Sequence, residues 1–238
     1  MARYPLGQEK GKARVVADGS VEAESGSSTG GLIEFLPELP KLPAQIDVEL
    51  SHHALLNDSR ESWAGFYVAR TNLPTARGDG HALLYARFSD RGKSASPAPL
   101  AEIQIPDRKL HLTYSGILLP HDTAEVTKMN LRFIKPPLSK PVPTFVERGA
   151  TRHIRFVLDD RGVTLSQVLD GNVAQVVGNV EWSTLREGQQ RDIRTCGDDA
   201  VRVGTGQPTG GLGVYAYHAK VRVSGVTVTA LSGDVLQR

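Results

Sequence analysis

Cysteine is nearly missing from this chain. Cys196 is the only one in 238 residues, which excludes an intrachain disulfide. A chain this long can bury enough surface to fold without one. The sequence places no base beside Cys196, so its reading is that of a small unreactive side chain. Aromatic residues are few: two Trp, six Tyr and six Phe. No run approaches the roughly 18 apolar residues of a membrane helix. The opening Met-Ala-Arg-Tyr-Pro-Leu-Gly-Gln-Glu-Lys lacks the apolar centre of a signal peptide. The compartment is therefore read as the cytoplasm, or as extracytoplasmic if the chain is a piece of a larger exported protein. An excess of one charge is missing as well. Lys and Arg number 28 against 26 Asp and Glu, a formal charge of +2. That balance points to no nucleic-acid partner and no membrane surface. No internal repeat and no long amphipathic helix is visible, which argues against solenoids, propellers and bundles.

What the chain does have is alternation. In Ala44–His52, Ile46, Val48 and Leu50 face one way while Gln45, Asp47 and Glu49 face the other. The pattern returns in Leu32–Leu36, Trp63–Arg70, Ala82–Phe88, Leu100–Ile105, Lys109–Tyr114, Val126–Ile134 and Asn172–Val180. Asp18-Gly19 and Asp159-Asp160-Arg161-Gly162 mark hairpin turns, where Asp and Gly serve local hydrogen bonding and positive φ. Gly65 marks a bulge or a close backbone approach. Leu73–Gly80 and Gly116–Asp122 read as a turn and a loop, and Ala54–Glu61 as a loop. Glu181–Asp199 is the one stretch expected to hold a short helix. Near the end, Gly210–Leu231 reads as two closing strands linked at His218-Ala219-Lys220. About a dozen short strands with turns between them give an all-β class, a two-sheet antiparallel β-sandwich. Residues 1–12 are expected to form a flexible arm, 13–232 one sandwich domain and 233–238 a tail.

Three stretches carry a resemblance. Gly210–Leu231, with its glycine-rich lead-in, G-L-G-V-Y strand and K-V-R-V-S-G-V-T-V-T strand, resembles the closing strands of a concanavalin A-like lectin/glucanase jelly roll. Arg152–Gly171, R-H-I-R-F-V-L-D-D-R-G-V-T-L-S-Q-V-L-D-G, is similar to a hairpin of that superfamily, with His153 present and the usual Trp absent. Pro43–His52 resembles its early core strand. By pattern the resemblance is to the laminin-G-like and 3-keto-disaccharide-hydrolase-like jelly rolls of bacterial multidomain proteins. It implies a fold and a carbohydrate-related function with ligand on a concave sheet.

The laminarinase-type enzymes of the superfamily carry E-[ILV]-D-x-x-E, whose two glutamates act as nucleophile and general acid/base. Here the stretch reads Gln45-Ile46-Asp47-Val48-Glu49-Leu50. An amide cannot serve as carboxylate nucleophile, so no catalytic residue is assigned. Asp47 and Glu49 become solvated or groove-lining candidates. Sugar rings stack on aromatic faces, which singles out Trp63 and Tyr67, of one parity in their strand, with Phe66 opposed to them and core-facing. Tyr85, Tyr215 and Tyr217 are placed to join them, and Arg70 and Arg87 to hydrogen-bond hydroxyls. Among acidic pairs, Asp159-Asp160 belongs to a turn. Asp198-Asp199, between a glycine and a strand, is the candidate for calcium, a metal some relatives bind through oxygen ligands. His52, His53, His81, His111, His121, His153 and His218 follow no zinc spacing, and Gly204–Gln207 lacks the lysine and helix of a phosphate loop. Seven basic residues from Lys128 to Arg155 read as a positive stripe for an anionic glycan or acidic protein.

Three functions follow from these expectations. The first is a non-catalytic glycan- or polysaccharide-binding module. The second is a glycoside-cleaving enzyme using Asp47, Glu49 and Glu102. The third is an accessory domain that binds a protein partner through a sheet edge.

Overall fold

Burial alternates with period two along Ala44–Leu50 and Arg152–Leu158. The computed structural model describes residues 2–5, 12–24, 31–38, 41–55, 61–75, 78–91, 108–123, 126–133, 142–143, 151–169, 174–195, 211–217 and 219–232. The strands are β1 (Ala2–Pro5), β2 (Lys12–Val15), β3 (Val21–Glu24), β4 (Gly31–Leu36), β5 (Ala44–Leu55), β6 (Glu61–Thr75), β7 (Gly78–Arg91) and β8 (Arg108–Thr123). They continue as β9 (Val126–Phe133), β10 (Val142–Pro143), β11 (Arg152–Leu158), β12 (Gly162–Val168), β13 (Ala174–Glu181), β14 (Leu212–Tyr217) and β15 (Ala219–Ala230). A single described helix, α1 (Trp182–Thr195), interrupts them in the stretch where one is expected.

Two antiparallel sheets result. Sheet A has the order β1-β4-β14-β6-β7-β8-β10, with β9 also beside β8, and sheet B the order β13-β12-β11-β5-β15-β3-β2. This is the β-sandwich of the sequence reading. The core lies between the sheets. From sheet B, Ile46, Val48 and Leu50 of β5 and Ile154, Phe156 and Leu158 of β11 are all at most 1% exposed. From sheet A, Phe66, Val68, Leu84, Ala86 and Val214 meet them. The Phe66 ring sits 6.3 Å from Phe156 and 6.2 Å from Phe35, tilted in both contacts, and so joins the two layers. Each such ring contributes about 1.5–3 kcal/mol by leaving water.

Several local readings change. Leu212–Tyr217 and Ala219–Ala230 are not partners: β14 belongs to sheet A and β15 to sheet B. β14 ends at Tyr217 and β15 begins at Ala219, and a connection that short resembles a hairpin in sequence. Ala2–Pro5, expected within a flexible arm, pairs with β4 as Ala2↔Glu34 to Pro5↔Gly31, and Lys12 already belongs to β2. Gly116–Asp122 is strand, not loop, and extends β8 alongside β9. The turn expected over Leu73–Gly80 shrinks, because β6 runs to Thr75 and β7 starts at Gly78. The bulge expected at Gly65 lies at Val68 instead: Gly65 keeps regular register while pairing shifts between Tyr67 and Ala69. The expected strand Leu100–Ile105 lies outside the described residues.

α1 packs against β8 of sheet A and β13 of sheet B. Trp182 anchors its start by donating its indole N–H to the Asp159 carbonyl at 2.8 Å, and its backbone N–H to Arg161 O at 3.0 Å. Trp182 and Leu185 enter the core. The Asp159 carboxylate accepts from the backbone N–H groups of Arg161 and Gly162, which is the turn role expected of it.

Candidate ligand-binding face

Because Phe66 points into the core, Tyr67 belongs to the opposite, outward face of sheet A. The same alternation puts Glu34 outward between Ile33 and Phe35, and Tyr215 outward between Val214 and Ala216. Register then assembles a set of rows. In one, Glu34 pairs with Gly213, Gly213 with Tyr67, and Tyr67 with Tyr85. In the next, Tyr215 pairs with Gly65, and Gly65 with Arg87. In a third, Tyr217 pairs with Trp63. The rows are two residues apart on each strand and belong to one face. Arg70 stands beyond the bulge, in register with Leu83.

The described side chains of this face are packed down. Tyr67 is 0% exposed, Tyr215 1% and Glu34 2%. Glycines make room for them. A Cβ on Gly213 would overlap the Ile33 carbonyl and the Tyr67 hydroxyl, and one on Gly211 would overlap the Glu34 carboxylate. Gly211 also has φ of 54°, a left-handed conformation that favours glycine. The Tyr67 ring therefore reaches across β14, and the Glu34 carboxylate lies over the entry to that strand. Tyr67 forms part of the floor of this face and is not an open stacking platform.

Asp47 and Glu49 stand elsewhere. Both are on β5, in the middle of sheet B, on its outward face. Asp47 accepts from Gln45 Nε2 at 2.6 Å and Arg155 Nε at 2.8 Å, and lies 3.0 Å from His153 Nε2. Burial raises its carboxyl, but the hydrogen bonds from Arg155, Gln45 and His153 and the Arg155 charge outweigh that and hold it below the usual carboxylate range. Glu49 is exposed, with the Ser224 hydroxyl within 3.5 Å. The seven expected ligand-face residues thus divide: Trp63, Tyr67, Arg70, Tyr85 and Arg87 lie on β6 and β7 of sheet A, and Asp47 and Glu49 on sheet B. The division is physical, since a polar position on a half-buried strand faces outward whichever sheet holds it. Asp198, Asp199 and Glu102 lie outside the described residues. The positive stripe also divides, with Lys128 and Arg132 on β9 of sheet A, and Arg152 and Arg155 on β11 of sheet B, where Arg152 is buried.

Glu34 is the member that sequence reading passed over. Its signal was a lone carboxylate at the outward position of the apolar strand L-I-E-F-L, directly after a glycine pair.

No protein-family model matches the chain. No curated protein matches it either. Among solved structures, the chain is similar to the carbohydrate binding module CBM66 from Bacillus subtilis at 8% identity and TM-score 0.43, covering 96% of this chain and 95% of that one. It is similar to a GH43 protein from Bacillus licheniformis at 11% identity and TM-score 0.44, covering 90% of this chain but 33% of that one. A beta-1,3-glucanase from Mycobacterium marinum gives 11% identity and TM-score 0.40, covering 89% and 74% respectively. At these identities and scores none of them assigns a family or an activity to the chain.

Proposed function

We propose that this protein is a non-catalytic glycan-binding module that takes its ligand on the outward face of sheet A. The observation that carries the reading is the register of β4, β14, β6 and β7. It gathers Glu34, Tyr67, Tyr85, Tyr215, Tyr217, Trp63 and Arg87 into adjacent rows of one face, although the sequence scatters them from residue 34 to residue 217. Tyr67, Tyr215 and Glu34 are buried there as its floor, and the sugar-contacting groups of the reading are Trp63, Tyr85 and Tyr217, as rings for C–H groups, and Arg87, as a guanidinium for hydroxyls. Glu34 and Tyr67, held by the glycines beneath them, preorganise the floor, and the ligand runs over it along the strands. Binding is favoured over cleavage because Asp47, which the cleaving alternative requires, is already engaged by Arg155, His153 and Gln45. Calcium bound at Asp198-Asp199 would supply a rigid cationic ligand for sugar hydroxyls.

The test is a glycan and polysaccharide array on purified protein, with calcium and again with chelator, followed by calorimetry on the hits. Saturable binding without product formation supports the proposal. Binding equal with and without chelator removes calcium from it. Release of reducing sugar restores the cleaving alternative. An empty array together with a stoichiometric protein that co-purifies moves the assignment to an interaction domain.

A further inference from the structure

The cations of sheet A gather at one side of its outward face. Ala86 is buried in the core, so its neighbours Tyr85 and Arg87 belong to the outward face of β7. Parity adds Ser89 and Arg91 to them. β8 pairs with β7 as Tyr85↔Thr113, Arg87↔His111 and Ser89↔Lys109, which puts Thr113, His111 and Lys109 on the same face. None of these described positions holds a carboxylate. The nearest acid in β7, Asp90, has the opposite parity and is in register with Arg108. Glu61 shares the outward face, but it stands at the start of β6, opposite Arg91.

Sheet stability alone does not ask for this arrangement. Arg87 faces His111 directly and Lys109 on the diagonal, and charges of one sign so close destabilise a strand pair. Lysine also serves to blunt sheet edges, but Lys109 is not at an edge. β8 has β7 on one side and β10 on the other, with Lys109 in register with Pro143. Composition does not explain the cluster either, since Lys and Arg number 28 against 26 Asp and Glu in the whole chain. The cluster is separate from the stretch Lys128–Arg155, whose cations the two sheets divide. Across sheet A the face thus changes in steps. β4 brings the buried Glu34, β14 and β6 the aromatic rows, and β7 and β8 the cations.

We infer that the ligand of this face is an anionic glycan, with its carboxylate or sulfate group held at Arg87, His111 and Lys109. The inference rests on the sheet A reading above and adds the ligand's chemical class to it. Arg87 shares a row with Gly65 and Tyr215, and Tyr85 is two residues away on its own strand. A sugar ring over the aromatic rows therefore sets an acidic substituent at β7 and β8. A guanidinium matches a planar carboxylate or a sulfate with paired N–H donors, and the lysine adds a point charge. A nucleic acid fits this face less well. Its phosphates call for cations along a continuous track, whereas here they are confined to two strands, with Glu61 on the same face.

Calorimetric titration of the full chain tests the inference. The ligands are a polyuronate, the same polymer after carboxyl reduction, a sulfated glucan, its unsulfated parent and a single-stranded oligonucleotide. At about 50 mM salt, one or both anionic polymers are expected to bind at least about tenfold more tightly than their neutral counterparts. The pair that shows the preference tells carboxylate from sulfate. The preference is expected to shrink toward unity at about 1 M salt, where charges are screened within about 3 Å. Lys109→Gln and, separately, His111→Gln are each expected to cut it at least about threefold with an unchanged circular dichroism spectrum. Trp63→Ala is expected to weaken both members of a pair alike. Neutral polymers that bind as tightly as the anionic ones, and more weakly to Trp63→Ala, overturn the inference and leave the sheet A reading standing. A preference that survives in folded Lys109→Gln and His111→Gln overturns it as well. So does an oligonucleotide that binds as tightly as the polyuronate, which would make the cluster a general polyanion surface. Binding of none of the polymers overturns the inference and the sheet A reading together.

Discussion

The outward faces of the two sheets are built in opposite ways. On sheet A, Tyr67, Tyr215 and Glu34 point away from the inter-sheet core and are nevertheless 0–2% exposed, with Tyr67 lying against Gly213 and Glu34 against Gly211. On sheet B, the corresponding positions of β5 and β11 hold Asp47, His153 and Arg155 in a half-exposed ion network, with Thr227 and Glu49 in water. Sheet B is thus a half-wet sheet of the usual antiparallel kind, while these three outward side chains of sheet A, on β4, β6 and β14, are buried. The comparison teaches that a polar outward residue in the sequence is not evidence of a wet face. Register decides what its neighbours are, and glycine decides whether a large side chain can lie down.

That contrast can be broken first through the part both sheets share. Phe156→Ala or Phe66→Ala removes the ring contact between layers, and about 3–5 kcal/mol of stability is expected to go with either. Urea titration followed by tryptophan fluorescence measures it, and equal losses from the two sides are expected. A sharper probe compares glycines. Gly213→Ala drives a methyl into the Ile33 carbonyl and the Tyr67 ring, costing about 1–3 kcal/mol. Gly225→Ala on sheet B meets nothing closer than the Glu49 carboxylate at 3.6 Å and is expected to stay within about 0.5 kcal/mol of the parent. Thermal melts of the two variants side by side would expose an error in the packing of sheet A if they matched.

Function should follow the same division. Arg87→Ala removes the guanidinium of the row that pairs Tyr215, Gly65 and Arg87, so the fold is expected to survive while saccharide affinity falls by about tenfold, near 1.4 kcal/mol. Asp47→Asn is expected to leave that affinity unchanged. Calorimetry with the best array ligand reads both.

The smallest effect concerns acid. The folded Asp47 carboxyl lies below its unfolded value of about 3.9, so its contribution to stability is fully present above that value and is lost as pH falls through the folded one. Because the network is partly solvated, that contribution is expected to be below about 1 kcal/mol. Asp47→Asn should therefore be slightly less stable than the parent at pH 7, and the gap should close on acidification toward pH 3. A gap that widened in acid would reverse the sign assigned to the network. Asp18, a surface turn residue, is also held below the usual carboxylate range, by hydrogen bonds from Ser20 first and then by Arg222.

The strands were legible wherever one face is dry. Ile46, Val48 and Leu50 in β5, and Ile154 and Phe156 in β11, announce their strands by alternation alone, and Asp159 and Gly162 announce the turn between β11 and β12. The short helix was legible from the loss of alternation after Glu181. Sheet membership was not. β14 and β15 follow one another with a single residue between them, yet belong to different layers, and nothing local distinguishes that step from a hairpin. The candidate site was half legible for the same reason. Trp63, Tyr67, Tyr85 and Arg87 sit on neighbouring strands and could be grouped by parity. Glu34 reaches them only through β14, a strand from the other end of the chain, and Asp47 shares their parity but not their sheet.

The central claim is that saccharide binds on the outward face of sheet A. The measurement that tests it most directly is calorimetric titration of an array-selected glycan into the parent, Arg87→Ala and Asp47→Asn proteins under one buffer. The account expects saturable binding to the parent, about tenfold weaker binding to Arg87→Ala and parent-like binding to Asp47→Asn. Loss of binding in Asp47→Asn with Arg87→Ala unaffected would place the site on sheet B and contradict it.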